Sequence, residues 1–305
     1  MGQTALPSEG AMLPSERVRP VIELQDTGEL RDPIVIAAFE GWNDAGESAS
    51  SVVEHLAQVW EAEVVAAVDP EDYYDFQVNR PQVLSVDGRR MIRWPTTRVL
   101  LARNTPLGRD VLLVLGIEPS VRWRTFAGDL LDYLLARDVQ LLVVLGGLLA
   151  DVPHTRPIPV SISSEDDELL EGSEEIERST YEGPTGIVGV LVDEGRQQDL
   201  PALSCWAAVP HYAGGPPSPK ASLALLGQLE ELLDCVIDDT ALTEAARAWE
   251  RGVDDLASTD EEVADYVRQL EEAQDTAELP EASGDAIAKE FERYLRRRDD
   301  GSPRG

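Results

Sequence analysis

The sequence predicts an α/β fold built around a parallel sheet, with a helical extension at its C-terminal end. Residues Ile34–Trp60 contain a buried strand, a tight turn and an amphipathic helix, which together form the first half of a βαβ unit. Two later runs, Val111–Gly116 and Val139–Leu145, are as apolar as that first strand. From Thr240 onward the pattern is that of acidic helices only.

This pattern divides the chain into three parts. Residues 1–32 are predicted to form a loose N-terminal arm, rich in Pro, Ser and Glu, in which Val21–Leu24 can add an edge strand. Residues 33–238 are predicted to form the α/β core, and residues 239–305 the acidic helical extension. With 305 residues, the chain is long enough to bury a full core.

The remaining elements follow from local patterns. Asp87-Gly88, between the short runs Gln82–Val86 and Arg89–Trp94, predicts a hairpin because both central residues of such a turn need positive φ. The acidic stretch Glu165–Glu182 is predicted to lie on an exposed flank. The other predicted strands are Val64–Val68, Thr97–Arg103, Ile187–Val192 and Leu203–Val209, and the other predicted helices are Arg122–Arg137, Ala221–Cys235, Ala241–Leu256, Asp260–Ala273 and Asp285–Arg298.

The composition excludes several classes of protein. The 26 basic and 58 acidic residues give a net charge of −32, which repels nucleic acid and anionic membranes, so neither is expected as a partner. The two cysteines, Cys205 and Cys235, are too few for a disulfide scaffold and fit a reducing compartment. We find no signal peptide pattern and no apolar run of membrane-spanning length, so we expect a cytoplasmic protein.

The turn Glu40–Gly46 is the first candidate site, because open α/β sheets bind ligands at the carboxyl ends of their strands. Its glycines do not have the spacing of a dinucleotide or phosphate loop, and Asp44 and Glu47 would repel a phosphate. Asp44 followed by Glu47 instead predicts a capping box at a helix start. We therefore expect no nucleotide and no other cofactor.

Two further loops follow buried strands and carry polar side chains. His154 and Arg156 come after Gly146-Gly147, two glycines that allow close approach by a ligand, a helix or another subunit, and His211 lies in a Pro-flanked loop. If these loops lie at one edge of the sheet, the two histidines could meet near Asn43 and Asp44. A structural role in locking the loops is the main alternative to ligand binding or acid–base work.

Other chemistry has little support in the sequence. There is no Gly-x-Ser-x-Gly nucleophile motif, and neither cysteine lies in a nucleophile context. A metal site from His154, His211, Asp44 and Asp151 is conceivable from residue types, but no ligand spacing supports it. The acidic stretch lacks the alternating oxygen ligands of a calcium loop. We therefore predict no metal site.

Four pieces of the chain together resemble the bacterial and archaeal members of the proteasome assembly chaperone 2 family. The pieces are Phe39–Gly46, Gly146-Gly147 with His154–Pro157, Gly183–Ile187, and Pro210–Tyr212 with Ser218-Pro219. The resemblance implies a three-layer α/β/α sandwich similar to phosphorylase-like and hydrolase-like sheets. It also implies a homo-oligomer, such as a trimer, and a chaperone role rather than catalysis. Because no catalytic residues are established across the family, none is assigned here.

One departure from the family concerns the tail. Relatives that engage proteasome rings often end in a hydrophobic residue, Tyr and one more residue, whereas this sequence ends in Asp299–Gly305. A proteasome-related client is therefore expected without docking through such a tail.

Two hypotheses of function follow. The first is a non-catalytic, chaperone-like protein-binding factor in which Trp42, Asn43, Asp44, His154, Arg156 and His211 are the candidate ligand- or partner-binding residues. The second is a small-molecule-binding protein or a hydrolase-like or ligase-like enzyme that uses the crevice around Asn43, His154 and His211.

Overall fold

The structure of the protein is a computed structural model that describes residues 21–213 and 215–278, with Ala277 and Glu278 described by their backbone alone. The strands are β1 (Val21–Glu23), β2 (Ile34–Glu40), β3 (Glu63–Val68), β4 (Gln82–Val86), β5 (Arg89–Arg93), β6 (Arg98–Ala102), β7 (Val111–Ile117), β8 (Leu141–Ala150), β9 (Val160–Ser164), β10 (Ile176–Glu177) and β11 (Ala202–Pro210). The helices are α1 (Ser48–Val59), α2 (Trp123–Leu135), α3 (Asp167–Gly172), α4 (Ile187–Gln197), α5 (Pro219–Leu233), α6 (Thr240–Thr259) and α7 (Glu261–Glu278). The predictions for residues 1–20 and for a helix over Asp285–Arg298 lie outside the described residues.

A nine-stranded sheet forms the centre of the molecule, in the order β1-β3-β6-β7-β2-β8-β11-β9-β10. Its four central strands, β7, β2, β8 and β11, run parallel to one another. Antiparallel pairs extend the sheet on both sides, with β6 beside β7 and β9 beside β11. The predicted α/β class is confirmed, and the parallel pairing is concentrated in the centre of a mixed sheet.

Helices cover both faces of this sheet and give the three-layer arrangement. On one face α2 and α4 bury Phe126 and Leu191 against the sheet, and on the other α1 and α5 bury Val52 and Leu225. Successive residues of Ile34–Phe39 alternate between these two cores and are all fully buried. This stretch of β2 is apolar throughout because it has no solvent face, and each large apolar side chain buried in this way contributes roughly 1.5–3 kcal/mol.

The hairpin predicted around Asp87-Gly88 is confirmed. Strands β4 and β5 pair with each other in a separate two-stranded sheet. Asp87 and Gly88 have φ angles of 51° and 76°, as a tight hairpin turn requires.

The strand predicted over Ile187–Val192 is wrong, because these residues begin helix α4. Its buried residues Ile187, Val188 and Leu191 are spaced to lie on one helical face. The N–H of Ile187 donates to Oε1 of Glu118 at 2.9 Å, so a distant side chain caps this helix. A short apolar run alone does not distinguish a buried strand from such a helix.

Strand β8 continues through the residues predicted as a loop after Leu145. A methyl group on Gly146 would collide with the indole of Trp206 on the neighbouring β11, so glycine lets the two strands pair here. The short strands β9 and β10 were not predicted. Most of residues 165–182 are exposed, as expected, although Ile176 in β10 is buried.

The C-terminal helices α6 and α7 pack onto the core. α6 lies against α5, and α7 lies against α6. Among the described side chains of these two helices, the buried ones are apolar, namely Ala246, Val253, Val267 and Leu270. Among the described helices, none combines the length and apolarity that a membrane span needs.

Candidate functional site

The candidate residues lie at one edge of the central sheet. Trp42, Asn43 and Asp44 follow β2, His154 and Arg156 follow β8, and His211 follows β11. Because β2, β8 and β11 are parallel neighbours, their carboxyl ends meet at the same edge. The contacts at this edge form two separate groups, one around Asn43 and Asp44 and one around the two histidines.

Asp44 caps the beginning of α1. Its Oδ1 accepts hydrogen bonds from the backbone N–H groups of Ala49 and Ser50, at 2.7 and 3.2 Å, and its Oδ2 accepts one from the Ser50 hydroxyl. The predicted capping box is wrong, because Glu47 has a φ of 51° and its side chain makes no cap bond. Burial raises the pKa of Asp44, since exclusion of water disfavours the charged carboxylate.

Gly147 brings β8 against the turn that follows β2. Its N–H donates to the backbone oxygen of Asn43 at 2.8 Å, and it forms a parallel bridge with Asp44. A methyl group on Gly147 would collide with Ser48 and Ala45. The close approach expected at this glycine is therefore made by the N-terminus of α1.

Asn43 is fully buried and is held by Glu118, the residue after β7. The Nδ2 of Asn43 donates to Oε1 of Glu118 at 2.6 Å, the same oxygen that accepts from the N–H of Ile187. Glu118 therefore joins the ends of β2 and β7 to the start of α4. The Oδ1 of Asn43 has no hydrogen-bond partner within the described part of the chain.

His154 lies in the second group and is almost fully buried. Its backbone N–H donates to the hydroxyl oxygen of Tyr212 at 2.6 Å, and its Nδ1 lies 2.7 Å from the same oxygen. The Tyr212 hydroxyl can donate its hydrogen to Nδ1, which places the imidazole proton on Nε2, 3.0 Å from Oδ1 of Asp254. Burial raises the pKa of Tyr212 to about 12, so this phenol stays protonated and can donate.

His211 extends the same group toward α7. Its Nδ1 lies 3.2 Å from Oδ1 of Asp151, which also accepts a hydrogen bond from the Tyr266 hydroxyl. The ring of His211 meets those of Tyr212 and Tyr266 edge-on, with centroid distances of 6.0 and 5.4 Å. The two histidines are therefore joined through Tyr212 and reach both C-terminal helices.

Two basic residues tie the C-terminal helices to the core. Arg156 donates from Nε and Nη2 to both carboxylate oxygens of Asp275 at 2.8 and 2.9 Å, and its Nη1 lies 3.3 Å from Glu271. Lys220, in the first turn of α5, pairs with Glu250 of α6. Arg156 holds the pKa of Asp275 below its usual value.

These contacts define what each group can do chemically. His154 and His211 each pair with one carboxylate rather than sharing a ligand set, and no group of three or more His, Cys, Asp or Glu side chains suited to a metal occurs in the described residues. In the other group, Asn43 and Asp44 hold neighbouring backbone. Both groups join loops to helices through hydrogen bonds and ion pairs, as expected for histidines with a structural role.

An open cleft of about 490 Å³ lies beside Asp44 at the end of β2. Glu40, Glu47 and Glu54 line it. The pKa of Glu40 is raised by burial and by repulsion from the neighbouring carboxylates. This negative lining disfavours the binding of phosphate groups.

Apolar side chains at this edge face solvent. Trp42 is 65% exposed, and Leu148 and Leu149 at the end of β8 are 45% and 56% exposed. Exposed apolar side chains of this size are available for contact with another protein.

Several residues of the site were not predicted from the sequence. Glu118 follows the end of β7, so the rule that identified Asn43 and His154 would also have found it. Asp254, Glu271 and Asp275 carry no local signal, since they stand among many acidic residues of similar helices.

Comparisons with known proteins agree with this architecture. Residues 38–257 match the PAC2 family. A solved PAC2 family protein from Streptomyces avermitilis is 54% identical, with a TM-score of 0.73 over 77% of this chain and 100% of its own. A proteasome-assembly chaperone homologue from Mycobacterium tuberculosis is 45% identical, with a TM-score of 0.70 over 77% of this chain and 99% of its own.

An archaeal proteasome activator from Pyrococcus furiosus shares the fold at 19% identity, with a TM-score of 0.64 over 77% of this chain and 97% of its own. No curated protein matches the chain. The match over residues 38–257 and the identities to the two bacterial structures establish that the chain belongs to the PAC2 family.

Proposed function

We propose that this protein is a chaperone-like assembly factor that binds a protein client at the carboxyl edge of its central sheet. The observation that carries the proposal is the exposure of Trp42, Leu148 and Leu149 at an edge where the side chains of Asn43 and His154 are bonded to Glu118 and Asp254 of the same chain. Such a surface has the exposed apolar area that protein interfaces bury. It lacks the convergent polar groups that orient a small ligand.

The relatives support this proposal and suggest the class of client. The M. tuberculosis homologue, at 45% identity, is a proteasome-assembly chaperone homologue. By analogy, the client proposed here is a proteasome-related protein, and the chain itself is proposed to act as a homo-oligomer such as a trimer. The helices from residue 239 onward are proposed to act as a lid over the loops after β8 and β11.

The same geometry weakens the alternative of a small-molecule site around Asn43, His154 and His211. Asn43 is fully buried against Glu118, and His154 is enclosed between Tyr212 and Asp254. Neither histidine lines the open cleft beside Asp44. A ligand in that crevice would first have to displace α6 and α7.

Affinity capture from native lysate, followed by quantitative mass spectrometry, tests the proposal. We expect a small set of enriched proteins, with proteasome subunits among them. The absence of any reproducibly enriched protein would contradict a protein-binding function.

A further inference from the structure

The hairpin β4–β5 is not covered by any other element among residues 21–213 and 215–278. Its two strands form a sheet of their own, and Leu84 is the only one of their ten residues that is partly buried. An isolated two-stranded hairpin is marginally stable in water, because its pairing must offset the entropy of ordering both strands. A hairpin that stays this exposed is therefore a candidate for packing against another molecule.

Both faces of the hairpin carry an apolar pair. The register places Leu84 opposite Met91 on one face and Val83 opposite Ile92 on the other. Val83, Met91 and Ile92 are 56%, 55% and 57% exposed. In a surface hairpin that meets only water, alternation would instead leave at least one face polar.

Contacts at its tip and at its base stabilise the hairpin. Asp87 and Gly88 form the tight turn at the tip, and Arg93 donates to Gln82 across the strands at 2.6 Å. At the base the ring of Trp94 packs against that of Phe76, with 4.9 Å between the centroids. Because these contacts already offset part of the entropy of ordering the strands, less additional ordering is needed when the arm binds a partner.

The charge of the hairpin is opposite to that of the chain. Residues 78–95 hold four arginines, all exposed, and a single acidic residue, Asp87, whereas the whole chain has a net charge of −32. Neither Arg89 nor Arg90 forms an ion pair with the described residues. The arm is therefore a basic and apolar surface on an acidic body.

We propose that the hairpin β4–β5 is a docking arm that packs onto the acidic surface of a second copy of this chain. Charge complementarity identifies the occupant, because every copy carries both the basic arm and the acidic body. At about 0.15 M salt the repulsion between two acidic bodies is screened beyond about 8 Å, whereas touching arginine–carboxylate pairs are screened much less. The proposal rests on the self-association included in the proposed function, and it names the surface that produces it.

The charges also restrict which surfaces can meet in this contact. Two arms packed on each other would bring eight arginines together, so an arm-to-arm dimer is disfavoured. The arm of one copy must instead contact a different surface of the next copy. Such a contact forms a two-fold dimer when two copies exchange arms, and a ring when it runs head-to-tail and the rotation closes.

Sedimentation velocity of the full chain, over a range of concentrations, tests the arm. The double variants Arg89→Glu with Arg90→Glu and Val83→Ser with Ile92→Ser should each weaken association at least tenfold. The matched controls, Arg124→Glu and Leu256→Ser, change an exposed arginine and an exposed leucine elsewhere and should leave association within twofold. Circular dichroism and thermal melting check that each variant keeps its fold.

The possible results distinguish failure of the docking-arm proposal from failure of self-association as a whole. A monomeric wild-type chain at all concentrations would overturn both proposals of self-association. An oligomeric wild type that the arm variants leave unchanged would overturn the arm alone, and the client-binding function would stand in either case.

Crosslinking locates the contact. A photoreactive benzoylphenylalanine placed at Val83, in oligomers mixed from ¹⁴N and ¹⁵N chains, should crosslink to acidic peptides of the other copy. Crosslinks confined to one copy, or joining hairpin to hairpin, would contradict docking of the arm on the acidic body of a second copy.

Discussion

Asn43 and Glu118, 75 positions apart in the sequence, are joined by a hydrogen bond of 2.6 Å at the centre of the sheet edge. The same carboxylate oxygen of Glu118 also accepts from the first N–H of α4. The side chain of Glu118 therefore accepts from the buried amide of Asn43 and also caps the N-terminus of α4. The edge is organised by this contact as much as by the glycines of the turn after β2.

Removal of this acceptor should destabilise the fold. Glu118→Ala leaves the buried amide of Asn43 and the N–H of Ile187 without their partner, and we expect a loss of about 1–3 kcal/mol in the free energy of unfolding. Glu118→Gln keeps an acceptor oxygen and should lose clearly less. Urea unfolding of both variants measures the difference. Equal losses in the free energy of unfolding would show that the acceptor oxygen of residue 118 does not stabilise the fold.

Replacement of Gly147, in the second half of β8, by alanine should lower the free energy of unfolding. Gly147→Ala places a methyl group against Ser48 and Ala45, and such overpacking costs roughly 1–3 kcal/mol. Gly128→Ala in α2 is the matched control, because an added methyl there has open space. Since alanine favours a helix interior by about 1 kcal/mol, Gly128→Ala should stabilise the protein. Thermal unfolding compares the two, and an equal response of both would contradict the close approach.

The buried carboxylate of Asp44 should make stability depend on pH. Its pKa in the folded protein lies above the ordinary value of 3.8, so the folded state binds the proton more tightly than the unfolded chain. The free energy of unfolding therefore falls as the pH rises from that value to the folded pKa, and the loss is constant above it.

Asp44→Asn isolates this effect because an amide oxygen can still accept the N–H bonds of Ala49 and Ser50. We expect the variant to gain stability relative to the wild type as the pH rises from about 4 to about 7. Urea unfolding at several pH values measures the difference, and a difference that does not change with pH would contradict the shifted pKa.

Arg156 should control how firmly α7 is attached. Arg156→Ala removes the pairs with Asp275 and Glu271, so amide hydrogen exchange in α7 should become a few-fold faster while that of α2 stays unchanged. Arg156→Lys should restore only part of the protection, because an ammonium group cannot bind a carboxylate through two parallel bonds.

The control for this change is Arg251→Ala, which alters an exposed arginine of α6. It should leave the exchange of α7 unchanged. If Arg251→Ala speeds hydrogen exchange in α7 as much as Arg156→Ala does, the effect comes from the change in net charge and not from the specific pairs of Arg156.

The sequence predicted well those parts of the fold that depend on neighbouring residues. Residues Ile34–Phe39 are apolar throughout because both faces of their strand are covered, and Asp87-Gly88 specifies its own turn. Residues 187–192 were misread because the cap of their helix comes from Glu118, 69 positions away. No local pattern records such a partner.

The candidate site was predictable only in part for the same reason. The order of strands explains why Asn43, His154 and His211 share an edge, since each follows a central parallel strand. His154, however, pairs with Asp254 of α6, which resembles every other acidic residue of the C-terminal helices. Pairing across the fold, rather than residue type, decides which carboxylate meets which histidine.

The most direct test of client binding compares captured proteins between variants of the exposed sheet edge. Wild-type protein, a double variant with Trp42→Ala and Leu149→Ser, and the control Leu256→Ser are used to capture partners from native lysate at equal bait concentration. We predict that the same protein partner is enriched by the wild type and by the control and is lost from the double variant, whose melting temperature stays unchanged. Equal enrichment by all three baits would contradict the account that this protein binds its client at the carboxyl edge of the sheet.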